Sequence, residues 1–209
     1  MILLAHRGCT DGAAQENSRA AFRRCFDAGF GAETDLRDAA GEIVVAHDMP
    51  QGGEPAFEEV LQIMDGRNLP LALNIKADGL GEILGKLLAR YGHTNYFTFD
   101  MSVPEMLRQI RGGLQVFTGL SDIAAAPVML AESAGIWLDC FHSDWYEGAV
   151  IDDLLAGGKK LCIVSAELHG RSAHAQWERI KCCANLKSPN LMLCTNMPEK
   201  GELYFNGRN

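Results

Sequence analysis

Leu71-Ala72-Leu73-Asn74-Ile75, then a helical pattern from Leu80 to Tyr91, then Tyr96-Phe97-Thr98-Phe99, is the stretch on which the fold turns. Two apolar runs of strand length separated by a helix-length segment ask for parallel strands joined by a right-handed crossover. The same alternation continues in both directions. Strand-like runs precede it at Ile2 to Ala5 and Gly31 to Leu36, and follow it at Leu114 to Thr118, Gly135 to Phe141, Leu161 to Ser165 and Asn190 to Thr195. Helical stretches lie between them: Ser18 to Ala28 with Asn17 or Ser18 as cap, Ala56 to Met64, and Val103 to Ile110 behind Ser102. Weaker helical patterns follow around Val128 to Ser133, Ala149 to Ala156 and Ala175 to Leu186. Strand then helix, repeated eight times, predicts an α/β chain folded as a (β/α)8 TIM barrel, one domain over residues 1–209. Such barrels usually run to about 250 residues, so the expectation is a compact barrel with a degenerate last helix. An extra ribbon, Glu42-Ile43-Val44-Val45-Ala46-His47, follows the second strand. No Pro/Gly/Ser-rich linker and no internal repeat divides the chain.

Composition narrows the function classes. Hydrophobic residues at 47% and charged residues at 22% are ordinary for a soluble globular chain and argue against disorder. Nineteen Lys+Arg against 27 Asp+Glu give a net charge of −8, which repels a polyanionic backbone, so no nucleic-acid partner is expected. No stretch approaches the ~18 apolar residues of a membrane span, and the apolar start is too short for a signal peptide. The expected localisation is cytoplasmic. Seven cysteines without CxxC or zinc-finger spacing point to reduced thiols and no structural zinc. Nothing in the sequence sets the oligomeric state.

The chemistry-bearing residues gather in the first fifty positions. His6-Arg7-Gly8 closes the first strand, Glu16-Asn17-Ser18 opens the first helix, Glu33-Thr34-Asp35 closes the second strand, and His47-Asp48 follows the ribbon. In a barrel, strand ends of this kind meet at the C-terminal mouth. Glu33 and Asp35 are two apart on a strand, share a face, and are suited to one hard cation. His6 and His47 can take and return a proton near neutral pH, and Arg7 offers a planar fork to phosphate oxygens. Glu16-Asn17-Ser18 reads equally well as a helix cap.

These pieces, in order and spacing, resemble the opening pattern of the glycerophosphodiester phosphodiesterase family: His6-Arg7-Gly8, Glu16-Asn17-Ser18 with Ala21-Phe22, Gly31-Ala32-Glu33-Thr34-Asp35, and Gly41-Glu42-Ile43-Val44-Val45 with His47-Asp48. The likeness continues less sharply at Leu73-Asn74-Ile75-Lys76 and at Leu193-Cys194-Thr195-Asn196-Met197-Pro198. The resemblance implies a TIM barrel in lipid metabolism that hydrolyses a small phosphodiester with a divalent metal, Mg or Ca. It further implies His6 and His47 as general acid and base, Glu33 and Asp35 as metal ligands, and Arg7, Glu16, Asn17 and Lys76 at the substrate. For Lys76, a rim ion pair is the reading without the resemblance.

Three departures bear on specificity. Asn74 stands where the family pattern has a third metal carboxylate, and an amide oxygen binds the cation with less charge. The family's insertion after the His-Asp pair is missing, since His47-Asp48-Met49-Pro50 runs through Gln51-Gly52-Gly53-Glu54-Pro55 straight into the second helix. An aromatic strand ending is replaced by Ser165-Ala166-Glu167-Leu168-His169-Gly170-Arg171, whose Glu167, His169 and Arg171 are candidates for binding another alcohol or restoring the lost charge, or else a solvated loop. Two alternatives follow: a phosphodiesterase or lyase acting on another phosphoester such as a sugar-phosphate diester, and a non-catalytic barrel that binds a phosphorylated ligand.

Overall fold

A computed structural model describes residues 1–10 and 15–207. The chain divides into two compact units, Leu4–Val116 and Met1–Leu3 with Phe117–Asn209.

The first unit contains most of β1 (Ile2–His6), then α1 (Arg19–Asp27), β2 (Gly31–Ala39), β3 (Glu42–Val45), α2 (Phe57–Met64), β4 (Leu71–Ile75), α3 (Gly81–Arg90), β5 (Tyr96–Phe99) and α4 (Val103–Arg111). β1 pairs with β2, β2 with β4 and β4 with β5, all parallel, while β3 returns antiparallel along β2. All five strands here answer to expected runs, β3 to the extra ribbon after the second strand, because apolar runs buried within a sheet need little further context. Ala21, Phe22, Cys25 and Phe26 form the buried stripe of α1, and Phe22, Cys25 and Phe26 join Phe57, Leu61 and Met64 of α2 and Leu36 and Leu73 of the strands in one core. Ser18 caps α1 by accepting from the backbone of Ala21 at 3.2 Å, and Ser102 caps α4 by accepting from Glu105 at 3.3 Å.

The second unit holds β6 (Phe117–Leu120), β7 (Gly135–Leu138), α5 (Gly148–Ala156), β8 (Lys160–Val164), a 3-10 turn (Ala166–His169), α6 (Ala173–Lys181), β9 (Leu191–Thr195) and α7 (Pro198–Asn206). β6, β7, β8 and β9 pair in that order, all parallel. Four expectations change. The strand read over Leu114 to Thr118 runs instead over Phe117–Leu120. The helix read over Val128 to Ser133 is a turn, because Met129 takes a left-handed φ of 53° that a helix cannot pass through. The helix read to Leu186 stops at Lys181 with Cys182 as its cap, so the Cys182-Cys183 pair lies at its end rather than along it. The last helix is a full one, α7, obscured in the sequence by Pro198 and Gly201, the latter pressed so close to Leu3 that a Cβ would lie 2.8 Å from its Cδ1.

The strand order is β5-β4-β2-β1-β9-β8-β7-β6, with an isolated parallel bridge between Thr98 of β5 and Val116 next to β6. Eight parallel strands in this order, with helices in every crossover among the described residues except that from β6 to β7, define the (β/α)8 barrel class. No disulfide links the seven cysteines. Among the described residues no helix is long and apolar enough to cross a membrane.

Candidate active site

β2 sets out the two carboxylates, and register supplies their neighbours. Glu33 and Asp35 share one side of the strand; His6 on β1 pairs with Glu33, and Asn74 on β4 pairs with Asp35. Glu33 is 2% exposed, Asp35 1% and Asn74 8%, so three polar side chains sit in the interior beside one another. His6 Nε2 lies 3.9 Å from Glu33 Oε2. Lys76 follows β4, its backbone N–H donating to Leu36 at 2.9 Å, and its Nζ reaches to 3.4 Å from Asp35 Oδ1.

The turn from β1 to α1 brings in a second group. Gly8, at φ 84°, lets α1 approach so closely that a Cβ there would meet the Ala21 Cβ at 2.9 Å. Arg7 and Asn17 both hold left-handed backbone, at φ 54° and 55°, and the Asn17 N–H donates to the Arg7 carbonyl at 2.8 Å. Arg7 Nη1 donates to Glu16 Oε2 at 3.0 Å. Its Nε lies 3.0 Å from Asp35 Oδ2 but off the N–H axis, which makes that contact an ion pair rather than a hydrogen bond. The fork expected to face phosphate is therefore engaged by two carboxylates, through Nη1 and Nε. Asn17 donates Nδ2 to Asp35 Oδ2 at 2.9 Å and accepts the Thr34 hydroxyl on Oδ1 at 3.0 Å. Of the Glu16-Asn17-Ser18 triplet, Ser18 is the cap, Asn17 grips Asp35 and Glu16 grips Arg7. Thr34 carried no expectation; a hydroxyl between two carboxylates on one strand was its signal.

Charge and burial act against each other in this cluster. Burial alone would lower the Arg7 pKa, but Asp35, the hydrogen bond to Glu16 and the charge of Glu33 outweigh it and raise it. Burial and then the charge of Asp35 push the Glu33 carboxyl well above the usual carboxylate range, against the pull of Arg7 and Lys76. Two buried oxygens accept no hydrogen bond: Asn74 Oδ1, and Asp35 Oδ1, which has the Lys76 ammonium at 3.4 Å as an ion-pair partner. A buried acceptor without a hydrogen bond is costly, and two on register-paired residues beside Glu33 fit a divalent cation. Among the described residues no three His, Cys, Asp or Glu side chains gather as a metal cluster, so the donor set here is two carboxylates and an amide.

The ribbon anchors His47. The Ala46 N–H donates to the Asp35 carbonyl at 3.1 Å, and Arg37 Nε holds the His47 carbonyl at 3.1 Å. The imidazole is 49% exposed, with Nδ1 2.9 Å from Asp48 Oδ1. Beyond it the chain folds on itself: Glu54 Oε1 accepts the Gln51 N–H at 2.6 Å and Glu54 Oε2 the Gly52 N–H at 2.9 Å. Val45 closes that loop by donating to Pro55 at 2.9 Å. Arg7, Glu16, Asn17, Asp35 and Lys76 thus form one chain of side-chain contacts, Glu33 joins it by accepting the Arg7 backbone N–H at 3.3 Å and brings His6 with it, Asn74 joins by register, and His47 joins through backbone.

Glu167, His169 and Arg171 belong to the other unit and have partners there. Glu167 accepts from the Thr195 hydroxyl at 2.5 Å and from the Asn196 backbone at 3.1 Å, with a further bond from Ser165. His169 Nε2 lies 2.7 Å from Asp139 Oδ1. Arg171 bonds Asp144 and the Cys140 carbonyl, each at 2.5 Å. The segment is a built 3-10 turn, not a solvated loop.

No protein-family model and no curated protein matches the chain. Solved structures do. A glycerophosphodiester phosphodiesterase from Agrobacterium tumefaciens str. C58 is similar at TM-score 0.70 and 17% identity, covering 98% of this chain and 97% of its own. An Oleispira antarctica phosphodiesterase in complex with the product sn-glycerol-3-phosphate is similar at TM-score 0.68 and 16% identity, with 99% and 97% covered. At such identities the likeness establishes the fold, and the near-complete coverage on both sides means that it extends over the whole chain.

Proposed function

We propose that the chain hydrolyses a small phosphodiester to an alcohol and a phosphomonoester, with a divalent cation, Mg or Ca, held by Glu33, Asp35 and Asn74. The single observation that carries this reading is the pair of buried oxygens on Asp35 and Asn74 that accept no hydrogen bond, set among Arg7, Lys76 and His6. A cation at those oxygens would polarise a phosphoryl oxygen and offset its developing charge. Lys76 and the remaining nitrogen of Arg7 bind and orient the phosphate. One histidine takes the proton of the attacking water as its oxygen bonds to phosphorus. As the phosphorus–alkoxide bond breaks, the other histidine gives its proton to the departing oxygen. Asp48 fixes the His47 ring through Nδ1, which leaves Nε2 for the proton transfer.

The similar solved structures are named as phosphodiesterases, which supports the same reaction class for this chain. Glycerophosphodiesters are the first substrates to test, and the short loop after His47 favours a wider range of alcohols than glycerol alone. The test is release of alcohol from glycerophosphodiesters and from a chromogenic diester, with added Mg²⁺ or Ca²⁺ and with chelator. Turnover that ignores the chelator would sink the metal-dependent reading.

A further inference from the structure

The Arg7 guanidinium is shared before any ligand reaches it. Asp35, at Nε, is buried, whereas Glu16, at Nη1, is 48% exposed and stands where solutes can approach. Glu16 is also not a loose surface partner. The next residue, Asn17, is fixed three ways, by its left-handed backbone, by its N–H on the Arg7 carbonyl and by its amide on Asp35, so the main chain of Glu16 is held beside Arg7. An anion that binds Arg7 must either displace the Glu16 carboxylate from Nη1 or sit next to it at Nη2. Both routes penalise negative charge, and the penalty grows with each unit carried. A phosphodiester carries one negative charge, while a phosphomonoester above its second pKa of about 6 carries two.

We propose that Glu16 is a specificity-determining residue that biases the Arg7 subsite toward the singly charged phosphodiester and against the doubly charged phosphomonoester, easing release of the product. This rests on the phosphodiester reading and adds to it the charge state that the site selects. A Glu16 that only steadied Arg7 would alter the binding of both anions alike, which separates the two roles.

The experiment uses dimethyl phosphate and methyl phosphate, probes that differ by one methyl group and one charge. Their dissociation constants are measured by phosphorus NMR titration on the full chain at pH 8, low salt and fixed Mg²⁺, for wild type, Glu16→Gln and Glu16→Asp. Glu16→Gln is expected to gain affinity for both probes, with a gain about three- to tenfold larger for methyl phosphate, and the difference should shrink as salt is added. Glu16→Asp should keep the wild-type ratio. Equal changes for the two probes in Glu16→Gln would overturn the proposal while leaving the phosphodiester reading in place. Wild-type protein that binds neither probe would overturn that reading and this proposal with it.

Discussion

His6 and His47 are held in unlike ways: one ends a strand beside a buried carboxylate, the other is half exposed and steadied by Asp48. Neither holds the core together, so His6→Ala and His47→Ala should each fold normally and lose about 100- to 10,000-fold in diester turnover. Steady-state kinetics beside thermal melts checks this, and near-wild-type rates in both would remove the acid–base assignment. Asn74→Glu should tighten Mg²⁺ or Ca²⁺ binding, since it places a hard anionic oxygen at a buried acceptor that now has no donor. Calorimetric titration reads this directly, and unchanged affinity would mean that the cation is held elsewhere. At this scale the sequence was legible wherever a residue's position follows from strand alternation, as for Glu33 and Asp35. It was not legible where backbone conformation decides. The left-handed turns of Arg7 and Asn17, which direct one side chain onto a carboxylate and the other into the Thr34–Asn17–Asp35 chain, leave no periodic trace.

β2 is the element on which the site depends, and its entry is tight. A Cβ on Gly31 would lie 2.5 Å from the Pro70 carbonyl oxygen, the same oxygen that accepts the Ala32 N–H at 3.0 Å. Gly31→Ala should therefore cost about 1–3 kcal/mol and displace Glu33 and Asp35 along with the strand. Denaturant melts with a cation titration would record both effects, and a variant as stable as wild type would contradict the close approach. In the turn from α3 to β5, burial lowers the His93 pKa against the hydrogen bond it makes to the Asn95 carbonyl. The folded chain then binds fewer protons there than the unfolded chain. That part of the stability is complete above the unfolded value near 6.5 and is lost as pH falls through it toward the lower folded value. Unfolding free energies between pH 5 and 8 should show this slope in wild type and lose it in His93→Gln. The strands were readable from their apolar runs; the β6–β7 crossover was not, because a single left-handed Met129 undid a pattern that composition favoured.

For the whole molecule, a cation bound only by the folded chain stabilises it by mass action, about 2.7 kcal/mol at a hundredfold excess over its Kd. Thermal melts with Mg²⁺ or Ca²⁺ should move upward, return with chelator, and not move in Asp35→Asn; equal shifts in that variant would point to a different site. The barrel class was legible from end to end because alternating strand and helix patterns are redundant, so one misread crossover leaves the topology intact. The self-closed loop after His47 bears on how such a chain diversifies. Its two ends are pinned, at Ala46 to Asp35 and at Pro55 to Val45, while its middle, Met49 to Glu54, is bound mainly to itself. Extra residues spliced in there would leave the histidine and the carboxylates in register. On the proposed phosphodiester reading, the loop is thus a port at which substrate range can evolve, or be engineered, independently of the reaction.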